Sequence, residues 1–157
     1  MKLDIPYRQN RIVAIKPGST NTETTGIYLN MGNALRAIAS VTLDQQVGHA
    51  TNIKIQQAKD NAGTDAKDIK TLIIHASEDT DSVDGDVLVR KPDAFEYTVL
   101  DDAKSKNISF KIDGEDLDVN NDFTHITVVV AASGEATNMV SSDYITQPRN
   151  PGMTAID

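Results

Sequence analysis

The side chains best equipped for chemistry in this chain are its carboxylates and three histidines. One dense carboxylate run is SEDTDSVDGD, Ser77 to Asp86. Asp79, Asp81, Asp84 and Asp86 offer hard oxygen ligands, and Gly85 permits a sharp turn, which is the donor set Ca²⁺ takes. The spacing departs from an EF-hand loop. Val83 stands where an acid or amide ligand is needed, Gly85 comes one place late, and no Glu occupies the bidentate position. A solvated loop fits better, as it does for the second acidic cluster at Asp113, Glu115, Asp116 and Asp118. No residue is assigned to metal binding.

His49, His75 and His125 are too widely spaced for a two-His zinc motif, and the chain has no Cys. His75 and His125 are expected to face outward from strands. A Ser–His–Asp triad assembles in three dimensions and needs no sequence spacing, but no G-x-S-x-G elbow supports one. Neither a P-loop nor G-x-G-x-x-G occurs, and Gly26 and Gly32 stand too isolated to cradle a phosphate. Acid pairs for glycoside hydrolysis usually work beside aromatic platforms. The chain has no Trp, four Tyr and three Phe, so Tyr97 and Tyr144 are the most available rings, and core packing suits both. The expectation is a protein with no catalytic residues and no cofactor.

The elements that must position these side chains are strands. Asp outnumbers Glu, and Asp favours turns by bonding nearby backbone amides. Val, Ile and Thr favour extended backbone. The 39% hydrophobic content includes only 4% aromatic residues, so the core must be aliphatic. Alternation marks strands at Gly26–Met31, Asn52–Ala58, Thr71–Ala76, Phe95–Val99, Ile108–Ile112, Phe123–Ala131 and Asn138–Thr146, and Val87–Val89 reads as a short strand. Ala34–Gln46 alternates Leu35, Ala37, Ala39, Val41 and Leu43 with Arg36, Ile38, Ser40 and Thr42. NALRAIAS could instead open a helix on an Asn33 N-cap, but the β-branched run after it favours a strand. Ala58–Asp68 reads as a long connection around Gly63. About eight strands at this turn spacing predict an all-β sandwich or barrel.

The sandwich is expected over 26–146, with an extended N-terminal arm at 1–25 and an extended C-terminal tail at 147–157. Pro6, Pro17 and Gly18 break the arm, and Pro148 and Pro151 the tail. Between Met1 and Lys16, four basic residues face one acid, a balance of +3, while the whole chain carries −8. A short edge strand at Ile12–Ile15 and a basic anchor for an acidic surface are both open readings of the arm. The net charge disfavours nucleic acid. No apolar run reaches the ~20 residues that span a bilayer, and MKLDIPYRQN has no apolar signal-like core.

Two stretches carry a resemblance. YLNMGNALRAIASVTLDQQVGHATNIKIQQAKDNAGTDAKDIK, Tyr28 to Lys70, resembles a pattern in structural proteins of tailed bacteriophages: a hydrophobic–Asn/Asp–Met segment, a strand K-[LI]-Q-Q-A, and a loop D-x-A-G-T-x-A-K-D-I. DLDVNNDFTHITVVVAA, Asp116 to Ala132, is similar to its second block, E-L-D-V-x-x-x-F-x-x-[VI]-x-V. Together they cover roughly two fifths of the chain. The resemblance implies a head structural protein of the capsid decoration, or cement, family: a jelly-roll-like sandwich, a homo-oligomer, made in the bacterial cytoplasm and carried on the virion's capsid exterior, with the major capsid protein as partner. Neither motif contains catalytic residues. On this reading Leu3, Ile5, Tyr7 and Ile12 are apolar anchors of the arm, and Arg8 and Arg11 supply charge pairing. A tail, fibre or head–tail joining protein, or a carbohydrate-binding module, would suit a small β-sandwich too. The Ala-Gly-Thr loop at Ala62–Thr64 is either an ordinary tight connection or a place where backbone approaches another surface closely.

Overall fold

The computed structural model describes residues 9–150 and 153–156. Twelve strands are present among them: β1 (Asn10–Ser19), β2 (Thr24–Thr25), β3 (Leu29–Asn30), β4 (Ala34–Asp44), β5 (Asn52–Ala58), β6 (Lys67–Asp68), β7 (Ile73–Ser77), β8 (Val89–Arg90), β9 (Glu96–Thr98), β10 (Ser105–Asp113), β11 (His125–Val130) and β12 (Met139–Pro148). They form two antiparallel sheets. The larger runs β1-β12-β4-β10-β7-β8. In the smaller, β11 and β5 are central, with β2 and β3 beside β11, and β6 and β9 beside β5. No described helix is long and apolar enough to cross a membrane.

The chain changes sheet at nearly every step, and the pairings nest. β1 pairs with β12, β2 and β3 with β11, β4 with β10, and β5 with β9. A long hairpin rolled so that its halves alternate between sheets gives this order, which is the jelly roll. β12 then zips to β4, and β11 to β5. Residues 67–90, carrying β6, β7 and β8, are an insertion between the fifth and sixth strands of the roll, and β7 and β8 widen the larger sheet.

Alternation explains the core. β10 buries Lys106, Ile108, Phe110 and Ile112 and half-exposes the residues between them. β4 buries Ala34, Ala37, Ala39, Val41 and Leu43. Leu35, expected among these inward residues, is exposed. Ala34 takes the inward place instead, and the β12–β4 register shifts beside it, between Gln147 and Pro148. Every residue of β11 is buried. His125 is therefore buried, not outward-facing; it lies in the central strand of the smaller sheet, flanked by β3 and β5, with both faces covered.

The two layers are pinned by a polar contact. Tyr144 on β12 is fully buried; its hydroxyl donates to the Ile27 carbonyl (3.1 Å) and accepts from the Val128 amide on β11 (3.0 Å). Burial pushes the phenol's pKa above its ordinary value. A buried Tyr needs such partners, and its position removes it as a sugar platform.

The expected arm and tail are both part of the sandwich over most of their described length. β1 is a ten-residue edge strand along β12, so the edge-strand reading holds and runs beyond Ile12–Ile15. Its register shifts at Val13/Ile15 and Ile15/Gly18, which lets Ala14 and Ile15 both turn inward. After Pro148 the chain packs back: the Asn30 amide donates to the Ala155 carbonyl (2.8 Å), and Ala155 is buried.

Candidate interaction surface

Of the residues expected to meet a partner, Leu3, Ile5, Tyr7 and Arg8 lie outside the described residues. Ile12 is buried, with only 9% exposure. It is a core residue rather than an anchor, because alternation along β1 turns it toward the facing sheet. Arg11 points the other way. Its guanidinium reaches the Asp143 carboxylate at 2.6 Å across the β1–β12 pair, with the Arg side chain 76% exposed. The hydrogen bond it donates to Asp143 raises the guanidinium's pKa. Two open cavities flank Arg11, one of 430 Å³ lined by Gln9, Asn10, Ile12, Met153 and Thr154, the other of 260 Å³ reaching Ser40, Asp143 and Ile145. Val13, Lys16 and Pro17 continue the exposed side of β1.

A second exposed surface sits at the opposite edge of the same sheet. Val87, Leu88 and Val89 are consecutive and exposed (54%, 40% and 56%), and Val83 and Phe95 are exposed nearby in the chain. Runs of three exposed apolar residues are disfavoured on a solvated surface unless they serve a contact. Sequence reading treated Val87–Val89 as an ordinary strand. The missed signal is its lack of alternation: VLV has no polar position to face water. Asp81, Asp84, Asp86 and Asp93 are exposed in the same region.

The acidic loop is tied down by its own hydrogen bonds and by an ion pair. The Asp79 carboxylate accepts from the Asp81 amide (3.2 Å) and binds Lys104 (2.9 Å). The Lys104 contact keeps its pKa below the ordinary carboxylate value. No group of three or more potential metal ligands converges among the described residues.

Behind this loop lies the strongest electrostatic cluster in the described structure. Lys106 is wholly buried, and its ammonium donates to the Leu100 carbonyl (2.5 Å), the Asp102 carbonyl (3.3 Å) and the Asp102 carboxylate. Glu78 Oε2 stands 3.8 Å away, and the other Glu78 oxygen accepts from the Tyr97 hydroxyl. The Lys106 hydrogen bond holds the Asp102 carboxyl below its usual range, while burial, then Glu78, pushes the Tyr97 phenol up. An ammonium with three oxygen acceptors acts as a tether. It ties the start of β10 to the 97–102 segment and the base of the acidic loop. Sequence reading missed it because Lys106 sits at an inward position that pattern alone assigns to an aliphatic residue.

The loop after β5 closes on the chain's own surface. The Asp60 carboxylate accepts from the Ala62 and Thr64 amides (3.0 Å each) and from the Thr64 hydroxyl (2.7 Å). Gly63 has φ +81°, and a Cβ there would lie 2.5 Å from the Tyr28 hydroxyl. The backbone's close approach is therefore to Tyr28. Lys67 then pairs with Asp118 (2.6 Å) and sits 3.9 Å over the Phe123 ring. A 470 Å³ groove lies beside β6, lined by Gln57, Lys70, Asp116 and Leu117 among others.

No protein-family model matches the chain, and no curated protein matches it. Among solved structures it is similar to the SPBc2 prophage-derived protein YomS, at 10% identity over 88% of this chain and 91% of that one, with a TM-score of 0.47. A structure of Triatoma Virus is similar at 10% identity over 97% of this chain and 68% of that one, TM-score 0.30. Infectious bursal disease virus Gx strain follows at 9% identity over 90% and 41%, TM-score 0.25. At TM-scores below 0.5, none of these likenesses assigns a role to this chain. The fold rests on its own strand order.

Proposed function

We propose that this chain is a non-enzymatic virion structural protein that binds the outside of a phage capsid and reinforces contacts between major capsid subunits. The observation that supports it best is where the exposed apolar groups lie. The roll is closed and firmly pinned, while Val87, Leu88 and Val89 face solvent on an inserted edge. That arrangement suits a block made to be placed beside other proteins. Jelly rolls recur in viral capsids and also in lectins, so fold alone does not choose between them. The two stretches resembling tailed-phage structural proteins favour the capsid. A cement protein does no bond chemistry. Modest contacts made by several linked copies at once raise avidity by ~10²–10⁴.

The test mixes purified protein with expanded, undecorated heads and, separately, with tails, followed by co-sedimentation and electron microscopy. Saturable coating of heads is expected. Binding to tails alone would replace this reading with a tail or joining role, and binding to neither, with reproducible glycan-array hits, would replace it with a carbohydrate-binding one.

A further inference from the structure

We infer that copies of this chain join head to tail, the β8 edge of one against the β1 edge of the next. This deepens the proposed function by naming the contact through which its copies would associate.

The two surfaces occupy opposite edges of one six-stranded sheet. Five strand spacings separate them, about 24 Å at ~4.8 Å each, so they cannot meet within one chain. Their charges are opposite. Residues 78–96 carry seven acids against Arg90 and Lys91, a balance of −5, whereas β1 carries Arg11 and Lys16 and no acid. Each surface also offers apolar area: Val87 and Val89 at one edge, Val13 at the other, all more than half exposed. Like surfaces repel, since a β8–β8 contact would set two acidic loops together; unlike surfaces attract. Pro17 and the two register shifts in β1 spoil a continuous backbone ladder, so the contact is made by side chains, with Arg11 and Lys16 facing Asp84 and Asp86 around an apolar centre. A heterologous contact of this kind repeats from copy to copy and closes into a ring when its rotation allows.

Charge reversal tests this with the full chain. One variant carries Arg11→Glu and Lys16→Glu; the other carries Asp84→Lys and Asp86→Lys. All four positions are exposed, and circular dichroism checks that each variant folds. Light-scattering mass should show wild-type oligomers, monomers for each variant alone, and restored oligomers in their equimolar mixture, because positions 11 and 16 there again face positions 84 and 86 of opposite charge at every contact. Either variant keeping the wild-type mass, or a mixture that stays monomeric, overturns the inference. A monomeric wild type overturns it as well. If that monomer still coats capsid heads, the decoration reading stands without it.

Discussion

Lys106 places a positive charge at a site with no solvent access, and the surrounding oxygens make that tolerable. Removing the ammonium leaves its partly buried oxygen partners uncompensated. Lys106→Ala is expected to cost about 3 kcal/mol by urea denaturation, well beyond a typical surface change. The cluster also gives stability a pH dependence whose sign follows from Asp102. Its pKa is depressed in the folded state, chiefly by the Lys106 hydrogen bond. The stability it adds is present above the unfolded carboxylate pKa and is lost as pH falls below about 4. Asp79 and Asp118 are depressed by Lys104 and Lys67 and act in the same direction. The urea midpoint should therefore drop on acidification, and Asp102→Asn should flatten that drop. Tyr144→Phe isolates the pin between the sheets: it orphans the buried Val128 amide and Ile27 carbonyl and should cost about 2 kcal/mol in the same assay. An unchanged midpoint would mean that the sheets register through apolar packing alone.

Among the elements, long strands with strict alternation were legible in the sequence and irregular ones were not. Ala39, Val41 and Leu43 on β4, and Ile108, Phe110 and Ile112 on β10, point inward as their spacing predicts. Ile12 and His125 were misjudged, because a strand's period says which residues share a face but not what covers that face. β1 looked like an arm because Pro17 and Gly18 punctuate it. Those residues instead sit on a bulged edge, where a missing amide is tolerated. The exposed VLV run and the buried Lys106 both break the usual pattern, and the oxygen partners of Lys106 come together only in the folded chain. The connection after β5 offers a test of local geometry. Gly63→Ala adds a methyl group at positive φ against Tyr28 and should destabilise by about 1–2 kcal/mol. Tyr28→Ala should relieve part of that penalty in a double-mutant cycle.

The whole molecule is a pinned roll with little edge left open. Beyond β1, the flanking strands β2, β3, β6, β8 and β9 are two or three residues long, which limits uncontrolled strand addition. Because β1 is an edge strand of the larger sheet, the length of an N-terminal truncation decides its effect. Deleting residues 1–8 should leave the far-ultraviolet dichroism unchanged while weakening head coating, if Leu3, Ile5, Tyr7 and Arg8 contact the shell. Deleting 1–25 removes β1 and the core residues Ile12, Ala14 and Ile15, so loss of the cooperative unfolding transition is expected there. A 1–8 deletion that coats heads normally would confine the shell contact to residues beyond 8. The nested pairing has another effect, felt during synthesis. β12 lies between β1 and β4, so the first long strand to leave the ribosome has no neighbour until the last one follows. A nascent chain halted before Met139 would show β4 with one side bare and β1 with nothing to zip to. Closure of the larger sheet must then wait for β12 and be slow for its size, and chains arrested before it should be captured by chaperones far more than those carrying it.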